Sequence, residues 1–237
     1  MKKTVLTGVI VAVSSLAAPI NLVPYANLTG TQLITFEDVA GGGAPGTSYN
    51  GIFQSGRTAF AERFLGQMLG VNGLTDVLSG APTGSLSLQA GAPGQNLNVF
   101  DDGTGLNVLN GLGPAGFPNF DALGEGAIAL LFDFDQSEFG FRVVGGDGGS
   151  AFLSFFRRNG TLIESITVSN LSDTFYGFSR DGGLNDIAGI SLYSDDDGGI
   201  AFDDLRHNVA GVPEPGTLAL LGLGLGALAF RHRLRKR

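Results

Sequence analysis

The chain has 237 residues and a formal charge of −8, but its cations crowd at the two ends. Setting aside Lys2, Lys3 and the five Arg and Lys of residues 231–237 leaves Arg57, Arg63, Arg142, Arg157, Arg158, Arg180 and Arg206 against 22 Asp and Glu, so the body stands near −15. Such a surface repels nucleic acid and anionic lipid, which removes both as partners of the body, and it favours solubility and cation binding. With no Cys, no disulfide or thiolate site exists, and there is no Trp.

Met1-Lys2-Lys3 forms a positive n-region, residues 4–18 an apolar h-region, and small residues follow. This pattern predicts a secretory signal peptide over residues 1–26. Ser15-Leu16-Ala17 offers a small-x-small cleavage site at 17/18, and Ala26 offers a later one at 26/27. The body proper, residues 27–211, has the size of one domain.

The 39 Gly and 18 Phe, with many Asp-Gly and Gly-Gly pairs, predict short strands joined by tight turns. Gln32-Leu-Ile-Thr-Phe-Glu37 reads as an opening strand, and residues 41–56 as a Gly-rich loop. Residues 58–69 fit a strand or a short helix equally well, because Phe60, Arg63 and Phe64 also make a helical stripe. Ser85-Leu-Ser-Leu-Gln89 alternates like a strand, and residues 93–121 read as loop around one strand near 96–100.

The second half is more regular. Ile128, Leu130, Phe132 and Phe134 share one face of a period-two run, as do Phe139, Phe141 and Val143 of the next. Further strands are expected over 151–157, 161–168, 173–179, 186–193 and 199–206, separated by turns at Arg158-Asn159-Gly160, Asp181-Gly182-Gly183 and Asp197-Gly198-Gly199. The fold class expected is all-β, an antiparallel two-sheet sandwich of jelly-roll type. Ile128, Leu130, Phe132, Phe139, Phe141, Phe155, Ile166, Ile190 and Leu192 are expected between the sheets. Asp147-Gly-Gly-Ser-Ala-Phe152 recurs as Asp197-Gly-Gly-Ile-Ala-Phe202, and two copies read as equivalent turn-to-strand entries, not a solenoid.

Residues 212–237 carry the most specific pattern. Val212-Pro213-Glu214-Pro215-Gly216 is followed by an uncharged stretch over 217–230, rich in Leu, Ala and Gly, and then by a basic tail. A basic flank stays on the cytoplasmic side of a membrane, which puts the body on the other face. As a helix the stretch would reach only about 21 Å against a hydrocarbon core of about 30 Å, so it is a weak or temporary anchor. Pro213 and Pro215 keep the preceding backbone extended, as presentation to a processing enzyme requires. The order of motif, span and basic tail resembles the PEP-CTERM sorting signal of Gram-negative bacteria. The resemblance implies recognition of Pro213, Glu214 and Pro215 by an exosortase, a membrane transpeptidase-like enzyme. It also implies transient inner-membrane anchoring through 217–230 and release to the cell surface or beyond. The strand over 199–205 is similar to one that often precedes such signals.

No nucleophile elbow, phosphate loop, zinc-protease motif or paired-cysteine pattern is present. His207, the sole His outside the tail, reads as a solvated residue at a strand end. No catalytic residue is therefore assigned, and the chain is not expected to be an enzyme. The acidic pairs suggest Ca2+, which takes six to eight hard oxygens. If the first and last strands lie side by side, Glu37, Asp38, Asp203 and Asp204 are its expected ligands. Three function classes follow: an exported, non-catalytic surface or extracellular-matrix protein; a carbohydrate-binding module holding exopolysaccharide; and a secreted hydrolase. Clustered Tyr49, Tyr176 or Tyr193 would favour the second, and two close carboxylates in a cleft the third.

Overall fold

The computed structural model describes residues 18–209. Eighteen strands follow one another. The first half holds β1 (Ile20–Val23), β2 (Gln32–Ile34), β3 (Thr47–Tyr49), β4 (Phe53–Ser55), β5 (Thr58–Ala61), β6 (Arg63–Phe64), β7 (Met68–Asn72), β8 (Thr75–Ser79) and β9 (Leu88–Gln89). The second half holds β10 (Leu97–Asp101), β11 (Asn107–Gly111), β12 (Ile128–Gln136), β13 (Glu138–Gly145), β14 (Ser150–Phe156), β15 (Leu162–Ser169), β16 (Thr174–Arg180), β17 (Ile187–Ser194) and β18 (Ile200–His207). Among the described residues the helical segments are three-residue 3-10 turns, and none is long and apolar enough to cross a membrane.

Two antiparallel sheets dominate. One runs β1-β16-β13-β18-β11-β10-β3, with β2 beside β18; the other runs β15-β14-β17-β12-β5-β4. Their facing sides share one buried cluster, in which Phe132 of β12 meets Phe139 of β13 at 5.9 Å between ring centroids and Phe155 of β14 meets Phe178 of β16 at 5.4 Å. Of the nine residues expected inside, eight are buried, whereas Ile166 is half-buried because β15 is an edge strand.

The long strands of the second half fall within a residue or two of their expected limits. Residues 58–69 contain no helix: β5 joins the second sheet and β6 turns to pair with β9. The pair β6 and β9 covers the outer face of that sheet, where Phe64, Leu86 and Leu88 pack on Ala129, Phe156 and Ala188. Gly189 lets this layer approach, since a Cβ there would stand 2.6 Å from the Phe64 ring. The opening strand is shorter than expected, because Phe36 takes a left-handed turn (φ 57°) and drops into the core.

β1 lies before the expected start of the body. It pairs with β16 from Ile20↔Arg180 to Val23↔Gly177, and Ile20 is buried. Tyr25 then crosses the outer face of the sheet, donating its hydroxyl to the Asp204 carbonyl at 2.7 Å under the Arg206 guanidinium. A cut after Ala26 would remove these contacts; one after Ala17 would leave them in place.

Candidate functional site

The end of the sheet from which both chain ends leave is defined by register. Ile20 pairs with Arg180, Ser179 with Glu138, and Phe139 with His207, so the start of β1 and the end of β18 lie on the same edge. At ~4.8 Å between strands, three strand steps put them about 14 Å apart. Both exits are pinned: the Asp181 amide donates to the Pro19 carbonyl at 2.9 Å, and the Ser137 amide to Asn208 Oδ1 at 2.8 Å. Pro213, Glu214, Pro215 and the apolar stretch 217–230 lie outside the described residues, as do residues 4–17 of the h-region. Pro213 comes six positions after His207, a reach of at most roughly 20 Å.

The expected calcium ligands are neighbours that do not converge. β2 does lie against β18, through Leu205↔Ile34 and His207↔Gln32. Asp38, however, accepts from Ser55 and from the Gly56 amide (2.7 Å), while Glu37 accepts from the Asn107 amide at 2.8 Å. A bulge at Asp203-Asp204, with Asp204 at φ 49°, inserts an extra residue between Arg142↔Asp203 and Gly140↔Arg206. It buries the Asp203 carboxyl, whose pKa burial raises to about 6. Among the described residues no three His, Asp or Glu side chains are grouped to hold a metal. The calcium expectation therefore lacks an assembled site.

The same bulge explains His207. It resets the alternation of β18, so that Phe202, Leu205 and His207 all face the core. His207 is fully buried against Phe132, not solvated. Its Nδ1 stands 2.8 Å from the Asn208 carbonyl, which can only accept, so Nδ1 carries the proton and Nε2 is left to accept from Thr58 Oγ1 at 3.3 Å. Burial lowers its pKa. Sequence alone gave no sign of this, since a bulge leaves no period.

The opposite end of the molecule holds the two Asp-Gly-Gly repeats. They are turn-to-strand entries, into β14 and β18, and Asp196 ties them together: its Oδ2 accepts from the Asp147 amide at 2.8 Å and the Gly149 amide at 2.9 Å. Beside them a cleft of about 290 Å3 is lined by Phe100, Asn110, Phe120, Leu123, Val144 and Gly199 among others, and Asp102 is its one lining carboxylate. Phe120 stands 63% exposed at this cleft. Behind Gly199, Glu125 is buried, with its pKa raised to about 7 by burial first and then by Asp196, Asp197 and Asp121.

The tyrosines do not form one platform. Tyr49 stacks on Phe53, Tyr176 lies against Phe141, and Tyr193 stacks on Phe152. The cleft aromatic, Phe120, was missed by sequence because residues 93–121 carry no period.

No curated protein and no solved structure matches the chain. One family model does, and its place is the segment that follows the pinned end of β18. The chain carries, at residues 211–236, a PEP-CTERM protein-sorting motif.

Proposed function

We propose that this protein is an exported, non-catalytic surface or extracellular-matrix protein, handed to an exosortase with both ends of its body turned toward the membrane. The motif at residues 211–236 marks an exported, exosortase-processed protein. The observation that carries the reading is the shared exit of Ile20 and His207 from one edge of the eight-stranded sheet. A body held at a membrane first by a signal peptide and then by residues 217–230 is spared reorientation between the two steps. Two antiparallel sheets closing on one core is the arrangement a jelly-roll sandwich requires, and it gives a rigid support for such a tether. Replacing Pro213, Glu214 and Pro215 with Ala should leave the protein in the inner membrane; undiminished release would overturn the reading.

A second reading, exopolysaccharide binding, is favoured by the cleft at the far end. An exposed Phe120 offers a ring face to a sugar, with Asp102 and Asn110 as polar neighbours. Phe120→Ala should then abolish retardation of the protein in gels containing the producing cell's own polysaccharide. Equal mobility with and without polysaccharide would remove this reading and leave the first.

A further inference from the structure

We propose that β7 is a docking strand for a second copy of this chain, pairing antiparallel with itself about a two-fold axis at Gly70. The inference goes beyond sorting and stands on the edge itself. Among the described residues β7 is bonded on one side alone, to β8, from Met68↔Ser79 to Asn72↔Thr75. All five of its residues are exposed, with Met68 at 65% and Val71 at 61%, and Leu65 and Leu74 flank it at 51% each. An apolar edge strand with free main-chain donors and acceptors is a template for another strand. Among the edge strands of the two large sheets, β15 carries Glu164 among Ser and Thr, β3 and β4 are three residues long, and β1 has four residues with Ile20 buried.

Charge selects the occupant. Six of the seven described arginines are engaged by carboxylates, and the seventh, Arg206, lies over the Tyr25 ring. Among the described residues no cation is thus left to bridge two acidic bodies, and anionic lipid is repelled. Between Arg63 and Asp101 the sole charged residue is Asp76, and it is buried. This is where two copies approach with least repulsion. About Gly70, Leu69 faces Val71 of the other copy and Met68 faces Asn72, a self-complementary set with no charge. The Asp76 amide ties β8 to the Glu125 carbonyl at 2.8 Å, at the end remote from Ile20 and His207. Neighbouring copies standing on one surface therefore present β7 at the same height. The contact is small, so pairing depends on crowding of copies.

The chain has no Cys, which makes the test direct. Paired residues of antiparallel strands have Cα atoms about 4.5–5.5 Å apart, within disulfide range. The Gly70→Cys protein, recovered from producing cells and run without reductant, should give at least tenfold more disulfide dimer than Leu162→Cys on the exposed edge of β15. Adding Met68→Lys and Val71→Lys should abolish the dimer while leaving the melting temperature unchanged. Equal cross-linking from both positions, or none from Gly70→Cys, would overturn the proposal. In the reduced, dilute monomer a Gly70→Cys thiol closed to maleimide would overturn it too, because a segment of the same chain would then cover the strand. Sedimentation of the wild-type protein should show its mass rising with concentration; a constant monomer mass up to millimolar protein would contradict it.

Discussion

Arg180, fully buried, grips Asp186 with two hydrogen bonds, Nε to Oδ1 at 2.6 Å and a terminal nitrogen to Oδ2 at 2.8 Å. Arg157 reaches the same Oδ2 at 3.0 Å. The fork holds the end of β16, against which β1 pairs, so it stabilises the edge where both chain ends leave. Removing one partner leaves a buried charge without compensation, at a cost of about 3–5 kcal/mol. Asp186 keeps some water access, so Asp186→Asn should cost about 3 kcal/mol in denaturant unfolding. The Arg180 hydrogen bond also holds the Asp186 pKa below its usual value. Its contribution is present above the unfolded pKa and is lost as pH falls through the folded one.

Three carboxyls work in the other direction. Burial raises Glu125 to about 7, and Asp76 and Asp203 each to about 6. The native protein keeps these protons longer than the unfolded chain does. The stability they confer is complete below about pH 4 and is lost as pH rises through 6 to 7. His207, neutral in the core, opposes them below its ordinary pKa, where the unfolded chain takes up a proton. Glu125→Gln should flatten the fall in melting temperature between pH 4.5 and 7 and raise the midpoint at pH 8. An unchanged profile would mean that the carboxyl is solvated.

Phe132 and Phe141 lie at the centre of the shared core, the first against Phe139 and His207, the second against Phe178 and Phe202. Either one replaced by Ala should lose about 3–5 kcal/mol on unfolding. A shift of a degree or two in melting temperature would contradict that placement.

Legibility in the sequence followed alternation. β12 to β18 are long, and along most of them large apolar residues alternate with small or polar ones, so period two shows them. β3 and β4 are three residues long and β7 is exposed on both faces, and Gly and uncharged polar residues hide them. β11 is buried through four of its five residues, Asn110 included, so it has no alternation to read. At the candidate site, the motif of residues 211–236 is read from a linear order of types, which needs no fold. The Asp203-Asp204 bulge, which separates the acids and buries His207, depends on strand register that no local pattern carries.

Glu37 and Asp38 already accept from backbone amides, and Asp203 is enclosed. Millimolar-range calcium should therefore leave the thermal midpoint where chelator leaves it. A site filled to about a hundred times its Kd would add about 2.7 kcal/mol, so a rise of several degrees would contradict this geometry.

On the proposed function, a folded body leaves the membrane after processing at both ends. Intact mass of the protein from the cell surface or medium is the decisive measurement. An N-terminus near Ala18, which retains β1 against β16, and a C-terminus between Pro213 and Gly216 are expected. Mature chains that still carry Arg231 to Arg237 would contradict it.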